Sequence, residues 1–151
     1  MGKVMEQQHK QPPAIDWSLL AIRIVVGLIF TLHGAQKVLG AFGGPGLDGI
    51  VQGMGPIGYL VAFGEFLGGL GMIFGILPRF SALANIVIMI GAIVQVHGAN
   101  GFFLADKGFE YNLALIGLLL PILISGPGRF AISEVVHLWP QKRADDKHVL
   151  A

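Results

Sequence analysis

The chain has 151 residues, 54% of them hydrophobic and only 13% charged, with a mean hydropathy of +0.71 and a formal net charge of +1. A soluble domain is about 25% charged, so this chain lacks the charge to cover a water-facing surface. Lipid is its expected main solvent, and the composition argues against a cytosolic enzyme, a disordered chain or a nucleic-acid binder with a basic patch. No Cys is present, which excludes disulfides, Cys-based zinc or iron–sulfur sites and thiol redox chemistry of its own.

Residues 1–16 read as a polar cytoplasmic tail with Lys3, Lys10 and a Pro12–Pro13 pair. The apolar run that follows is expected to be a span rather than a signal peptide, since it is too long and ends without a small-residue cleavage pattern. The first span is 19–39, with Trp17 as an aromatic anchor. The linker 40–56 holds seven Gly and two Pro and reads as too flexible for a regular element. The second span, 57–77, is interrupted only by Glu65 and ends in a tight Pro78–Arg79 turn. Gly64-x-x-x-Gly68 and Gly71-x-x-x-Gly75 on it mark close helix contact. The third span is about 80–97. The turn 98–108 carries Phe102 and Phe103 as a headgroup-level belt. The fourth span, 109–125, has Pro121 inside it and only the minimum length for crossing. Gly126-Pro127-Gly128-Arg129 stops it, and 131–151 reads as an interfacial and cytoplasmic tail. The expected fold is therefore all-α: an integral membrane four-helix bundle over 17–130, with a short interfacial C-terminal helix.

Lys and Arg gather on the side of the tails, at Lys3, Lys10, Arg79, Arg129, Lys142, Arg143 and Lys147. The positive-inside rule then places both termini in the cytoplasm. Arg23, near the start of the first span, is expected to snorkel to that side.

With this topology, the ionisable residues share one layer. His33, Gln36 and Lys37 lie toward the outer end of span one. Glu65 lies about 12 Å from the outer end of span two at 1.5 Å per residue. Gln95, His97 and Asn100 end span three, while Glu110, Tyr111 and Asn112 begin span four. Taken singly, Lys37, His97 and Glu110 fit headgroup residues, and Gln95, Asn112 and the deeper Asn85 fit interhelical hydrogen bonds. Glu65 does not fit such a reading. Too short to snorkel, an unpaired carboxylate at that depth would cost about 2.5–3.5 kcal/mol. It should be protonated or partnered by Lys37, His33 or His97. The expected site is thus Glu65, His33 and His97, with Lys37, Gln36, Glu110, Asn112 and Asn100 around them.

His33-Gly34-x-Gln36-Lys37 with Phe42-Gly43-Gly44-Pro45-Gly46 resembles the start of the DoxX family. So do Phe63-Gly64-Glu65-x-x-Gly68-Gly69, Pro78-Arg79 and His97-x-x-Asn100-Gly101-Phe102-Phe103, followed by Glu110-Tyr111-Asn112-Leu113-Ala114 and Gly126-Pro127-Gly128-Arg129. The resemblance covers about 19–130 and implies a bacterial inner-membrane four-helix protein. Related proteins are associated with thiosulfate:quinone oxidoreductase, and others are called oxidoreductases without a defined activity.

A quinone-linked redox subunit is the leading expectation. His33, Lys37 and His97 would donate to a quinone head group, Glu65 or Glu110 would exchange protons, and electrons would come from a soluble or membrane redox partner. A metal site is an alternative, with His33, Glu65, His97 and Glu110 as ligands, though the Glu-x-x-His signature is missing. A bis-His haem on His33 and His97 is another. A non-catalytic scaffold subunit and a small transporter acting as a homo-oligomer complete the alternatives. The bilayer is the expected partner in every case.

Overall fold

The computed structural model describes residues 13–135. The chain folds as an all-α bundle with no strand among the described residues. Its helices are α1 (Pro13–Leu39), α2 (Gly46–Met54), α3 (Ile57–Phe74), α4 (Pro78–Ala92), α5 (Glu110–Ser125) and α6 (Ile132–Val135). Three apolar stretches, Ala14–Leu39, Ile57–Phe74 and Pro78–Asn100, are long enough to cross a membrane. α5 is a shorter apolar helix, about 24 Å long at the α-helical rise. The outward faces carry large exposed apolar residues such as Leu28, Leu67, Phe80, Leu83 and Ile124. That is the pattern of a bundle solvated by lipid.

The core of the bundle holds Val26, Phe30, Met72, Ala82, Leu119 and Ile122. α1 packs most extensively on α3, and glycine is the reason. A Cβ on Gly34 would lie 2.3 Å from the Phe66 nitrogen, one on Gly69 2.4 Å from the Thr31 nitrogen, and one on Gly27 2.8 Å from the Gly69 carbonyl oxygen. The two backbones therefore touch along three turns, as small residues permit in membranes. Three further α3 glycines face α4: Gly64 lies against Ile88, Gly68 against Asn85 and Gly71 against Ser81.

One end of the bundle, that of the α3–α4 turn, is tied shut. Gly75, at φ 69°, caps α3 by donating to the Gly71 carbonyl, and Pro78 starts α4 after Leu77 takes a left-handed φ of 47°. Arg23 does not snorkel. It is fully buried, donating from Nε to the Met72 carbonyl (3.0 Å), from Nη2 to Ile73 (3.2 Å) and from Nη1 to Pro127 (3.1 Å). Met72 and Ile73 lie in the last turn of α3, whose carbonyls have no partner within the helix; a cation there also meets the negative end of the helix dipole. Asp16 is not tail but buried helix. It accepts from the Arg129 backbone N–H (3.0 Å) and pairs with the Arg129 Nε (3.2 Å). Trp17 rests on Phe130 with ring centroids 4.6 Å apart, and the Ser133 N–H donates to the Gly75 carbonyl at 3.0 Å. Residues 1–12 and 136–151 of the expected tails lie outside the described residues.

The Gly-rich linker also departs from expectation. Ala41–Gly43 forms a 3₁₀ turn, and Gly46–Met54 is a helix rather than irregular chain. Leu47, Ile50, Val51 and Met54 follow at helical spacing and are half-buried, while Asp48, Gln52 and Gly53 face outward. Burial of that stripe against α3 outweighs the entropic cost of its glycines, about 0.5–1 kcal/mol each. Gly58 makes room for it, since a Cβ there would lie 2.9 Å from Ile50.

Candidate functional site

At the opposite end α1, α3, α4 and α5 line a cavity of about 570 Å³. That is within the range of sites for small organic molecules. Its wall is mostly apolar, including Phe30, Leu60, Val61, Ile88 and Leu115. The polar residues in it are His33, Lys37, Glu65, Gln95, His97, Tyr111 and Asn112, contributed by α1, α3, α5 and the extension of α4.

The glycine contact between α1 and α3 sets up the central pair. Gly34 fixes the α1 backbone against Phe66, and Lys37 and Glu65 are the residues beside that crossing. Lys37 Nζ donates to Glu65 Oε2. The Glu65 side chain is only 6% exposed and that of Lys37 21%, so the carboxylate is the buried member and the ammonium the more accessible one. In a low-dielectric setting such a pair spares each charge the cost of being alone.

His97 is brought to the cavity by a feature invisible in the sequence. After Ala92 the α4 backbone passes through a π-turn, Ile93–His97, and then a 3₁₀ turn, Gly98–Asn100. Single π-turns inside α-helices occur often at functional sites. The His97 Nδ1 lies 2.7 Å from the Lys107 carbonyl oxygen, and Asn100 Nδ2 donates to the same oxygen at 3.3 Å. Lys107 itself holds a left-handed φ of 63°. The next residue must be glycine, because a Cβ on Gly108 would lie 2.2 Å from the Gly101 oxygen. On α5, Asn112 is buried and donates from Nδ2 to Met89 Sδ at 3.4 Å.

Not every expected site residue joins this group. Glu110 is exposed and accepts from the Leu104 N–H at 2.9 Å; it closes the loop that precedes α5 instead of lining the cavity. Asn100 is exposed and bonds to the Val96 and Lys107 carbonyls, so it supports His97 from behind. Gln36 is half-buried, with its backbone under Gly44, and it too lies off the cavity wall. Among the described residues, no three His, Asp or Glu side chains are gathered as a metal site. The alternative ligand set His33, Glu65, His97 and Glu110 is therefore not assembled. The first three line one cavity, while Glu110 is turned away by its bond to the loop. Gln95 and Tyr111 also line the cavity, although the expected site did not include them.

The chain is similar to several bacterial proteins. It is 30% identical over 109 residues to "Putative oxidoreductase CatD" of Bacillus subtilis (68% of this chain and 76% of that protein). It is 30% identical over 127 residues to "Inner membrane protein YqjF" of Escherichia coli (81% and 94%). To "Uncharacterized membrane protein Rv3486" of Mycobacterium tuberculosis it is 28% identical over 143 residues (78% and 80%). No solved structure matches. The DoxX profile matches residues 18–98, from the first turns of α1 to the π-turn that carries His97. With apolar helices built to cross a membrane, glycine-packed α1 and α3, and this match over more than half its length, the chain is a membrane protein of the DoxX family.

Proposed function

We propose that the chain is the quinone-binding subunit of a redox system in the bacterial inner membrane, with the quinone head group in the cavity between α1, α3, α4 and α5. The observation that carries this reading is the Lys37–Glu65 pair, with Glu65 buried, in the wall of a mostly apolar cavity of about 570 Å³. A quinone has the same composition, an apolar ring and tail with two oxygens that need polar partners. The donor set fits it. Lys37 has N–H groups beyond the one given to Glu65, and Asn112, Tyr111 and His33 add further hydrogen-bonding groups. A bound quinone supplies two-electron chemistry that this chain's side chains lack. Lys37 orients an oxygen, Glu65 holds or passes a proton at its carboxylate, and the apolar wall excludes water. Electrons come from a separate donor protein or soluble donor. The name of the Bacillus relative as an oxidoreductase agrees with this class of chemistry.

In this reading α5 is the fourth span, both termini are cytoplasmic, and the cavity lies toward the periplasmic face. Support comes from Arg79 and Arg129 at the closed end and the positive-inside rule. Glu65→Gln tests the function. It keeps shape and hydrogen-bonding capacity but cannot carry a charge or pass a proton as a carboxylate. The expected result is a folded protein that retains quinone and loses about 10²-fold in quinone-linked turnover, the scale of a lost general acid or base. Wild-type turnover in the variant would remove Glu65 from proton transfer and leave the pair as a structural lock.

A further inference from the structure

The hydrogen bonds around His97 fix which form of ligand the cavity is built to hold. A carbonyl oxygen can only accept, so the 2.7 Å contact to the Lys107 oxygen requires the proton of His97 on Nδ1. In neutral imidazole the other ring nitrogen, Nε2, then carries a lone pair and no hydrogen. His97 lines the cavity, and with Nδ1 engaged, Nε2 is the nitrogen left for a ligand. The arrangement is held firmly. Asn100 takes the second lone pair of the Lys107 oxygen at 3.3 Å. The Gly108 N–H donates to the Phe103 carbonyl at 2.9 Å, the Phe109 N–H to Gly101 at 3.1 Å and the Glu110 N–H to Phe102 at 2.8 Å. The loop cannot swing the Lys107 carbonyl away without breaking these together.

The cavity therefore offers unlike groups on its walls. On the α1–α3 side the Lys37 ammonium donates. On the α4 side His97 accepts. A dione has only acceptors, so an oxygen turned toward His97 would meet a lone pair. A diol has an O–H for His97 and an oxygen lone pair for Lys37. Resting on the quinone reading above, we infer that the cavity selects the reduced, diol form of its ligand, and that His97 is the residue that recognises the ligand hydroxyl. Asn100 and the Lys107 carbonyl are positioning groups that keep the His97 proton on the far side of the ring.

The test measures binding to the purified full chain in detergent, anaerobically, by calorimetry. Three probes are used: a short-tailed benzoquinone, its two-electron-reduced diol, and the diol's dimethyl ether, which has no O–H to donate. The expected order is diol tightest, with dione and ether both weaker by roughly five- to tenfold, the scale of one hydrogen bond gained or one lone pair left opposed. His97→Asn is the matched variant, because the Asn amide can still donate to the Lys107 oxygen while nothing replaces Nε2. It should lose the preference for the diol, with the affinities for diol, dione and ether converging. Equal or tighter binding of the dione by the unaltered protein overturns the inference and leaves the quinone reading standing, as does a diol preference that survives in His97→Asn. Failure of all three probes to bind overturns both. The three-probe comparison on the unaltered chain decides the matter even if the variant does not fold.

Discussion

Gly34→Ala is the sharpest perturbation of the bundle, because one methyl group is placed where two backbones already touch. The added Cβ would stand 2.3 Å from the Phe66 nitrogen and 2.4 Å from its Cα. Ordinary contact begins near 3.4 Å, so α1 and α3 must separate by about 1 Å at this crossing. No side chain can rotate to absorb the change, since the atoms struck are backbone. Overpacking typically costs about 1–3 kcal/mol, partly offset by the 0.5–1 kcal/mol that Ala gains over Gly in a helix. A net loss of about 1–2 kcal/mol is expected. The control is Gly117→Ala on α5, where a Cβ meets nothing within 4 Å and the helix preference acts alone. It should be neutral or stabilising by up to about 1 kcal/mol. Reversible unfolding in mixed micelles would report both. The close crossing also sets the reach of Lys37 to Glu65, so ligand binding should weaken in Gly34→Ala and not in Gly117→Ala. Equal stability of the two variants would refute the account of α1–α3 packing.

The closed end makes its own prediction. Arg23→Met keeps most of the side-chain volume but leaves three carbonyls without the donors they now have. A loss of about 3 kcal/mol or more is expected in the same unfolding assay, given about 1–3 kcal/mol per buried unsatisfied group and incomplete additivity; a loss below 1 kcal/mol would show that water or lipid replaces the guanidinium at little cost. The orientation is tested by reporter fusions in the α2 segment, around Gly53, which faces outward. A periplasm-active reporter is expected to work there and a cytoplasm-active one to fail, and the reverse result would invert the proposed topology.

The apolar runs that became α1, α3 and α4 were legible because a span needs length and low charge, and both are visible in one dimension. The demand that Glu65 find a partner was legible for the same kind of reason, since depth and side-chain length alone make it costly. What stayed hidden depends on partners without a sequence signature. Arg23 read as a snorkelling residue because its ligands are backbone carbonyls of α3 and of the loop after α5, which any sequence would supply. Asp16 read as tail because Arg129 lies 113 positions away. The α2 helix was masked by glycines that punctuate an otherwise regular stripe of Leu47, Ile50, Val51 and Met54. Glu110 was assigned to the site by depth, but depth does not fix direction, and the Leu104 N–H claims its carboxylate.

The placement of the cavity follows from where small and large residues meet. Along α1 and α3, Gly27, Gly34 and Gly69 let backbone meet backbone, which leaves no room for a ligand between those two helices and holds Lys37 and Glu65 at contact. At the closed end, Arg23 of α1 fills the space between α1, α3 and the loop after α5 with a side chain whose hydrogen bonds run to α3 and to that loop. At the open end Phe30, Val61, Ile88, Met89 and Leu115 line the cavity, and a π-turn followed by a 3₁₀ turn ends the α4 extension. A rigid α1–α3 wall with a fixed ion pair thus faces an α4–α5 wall that carries an oriented imidazole. A site of this kind has its polar groups set before the ligand arrives, so binding costs little reordering, and changes in Lys37, Glu65 or His97 should alter ligand choice more than fold.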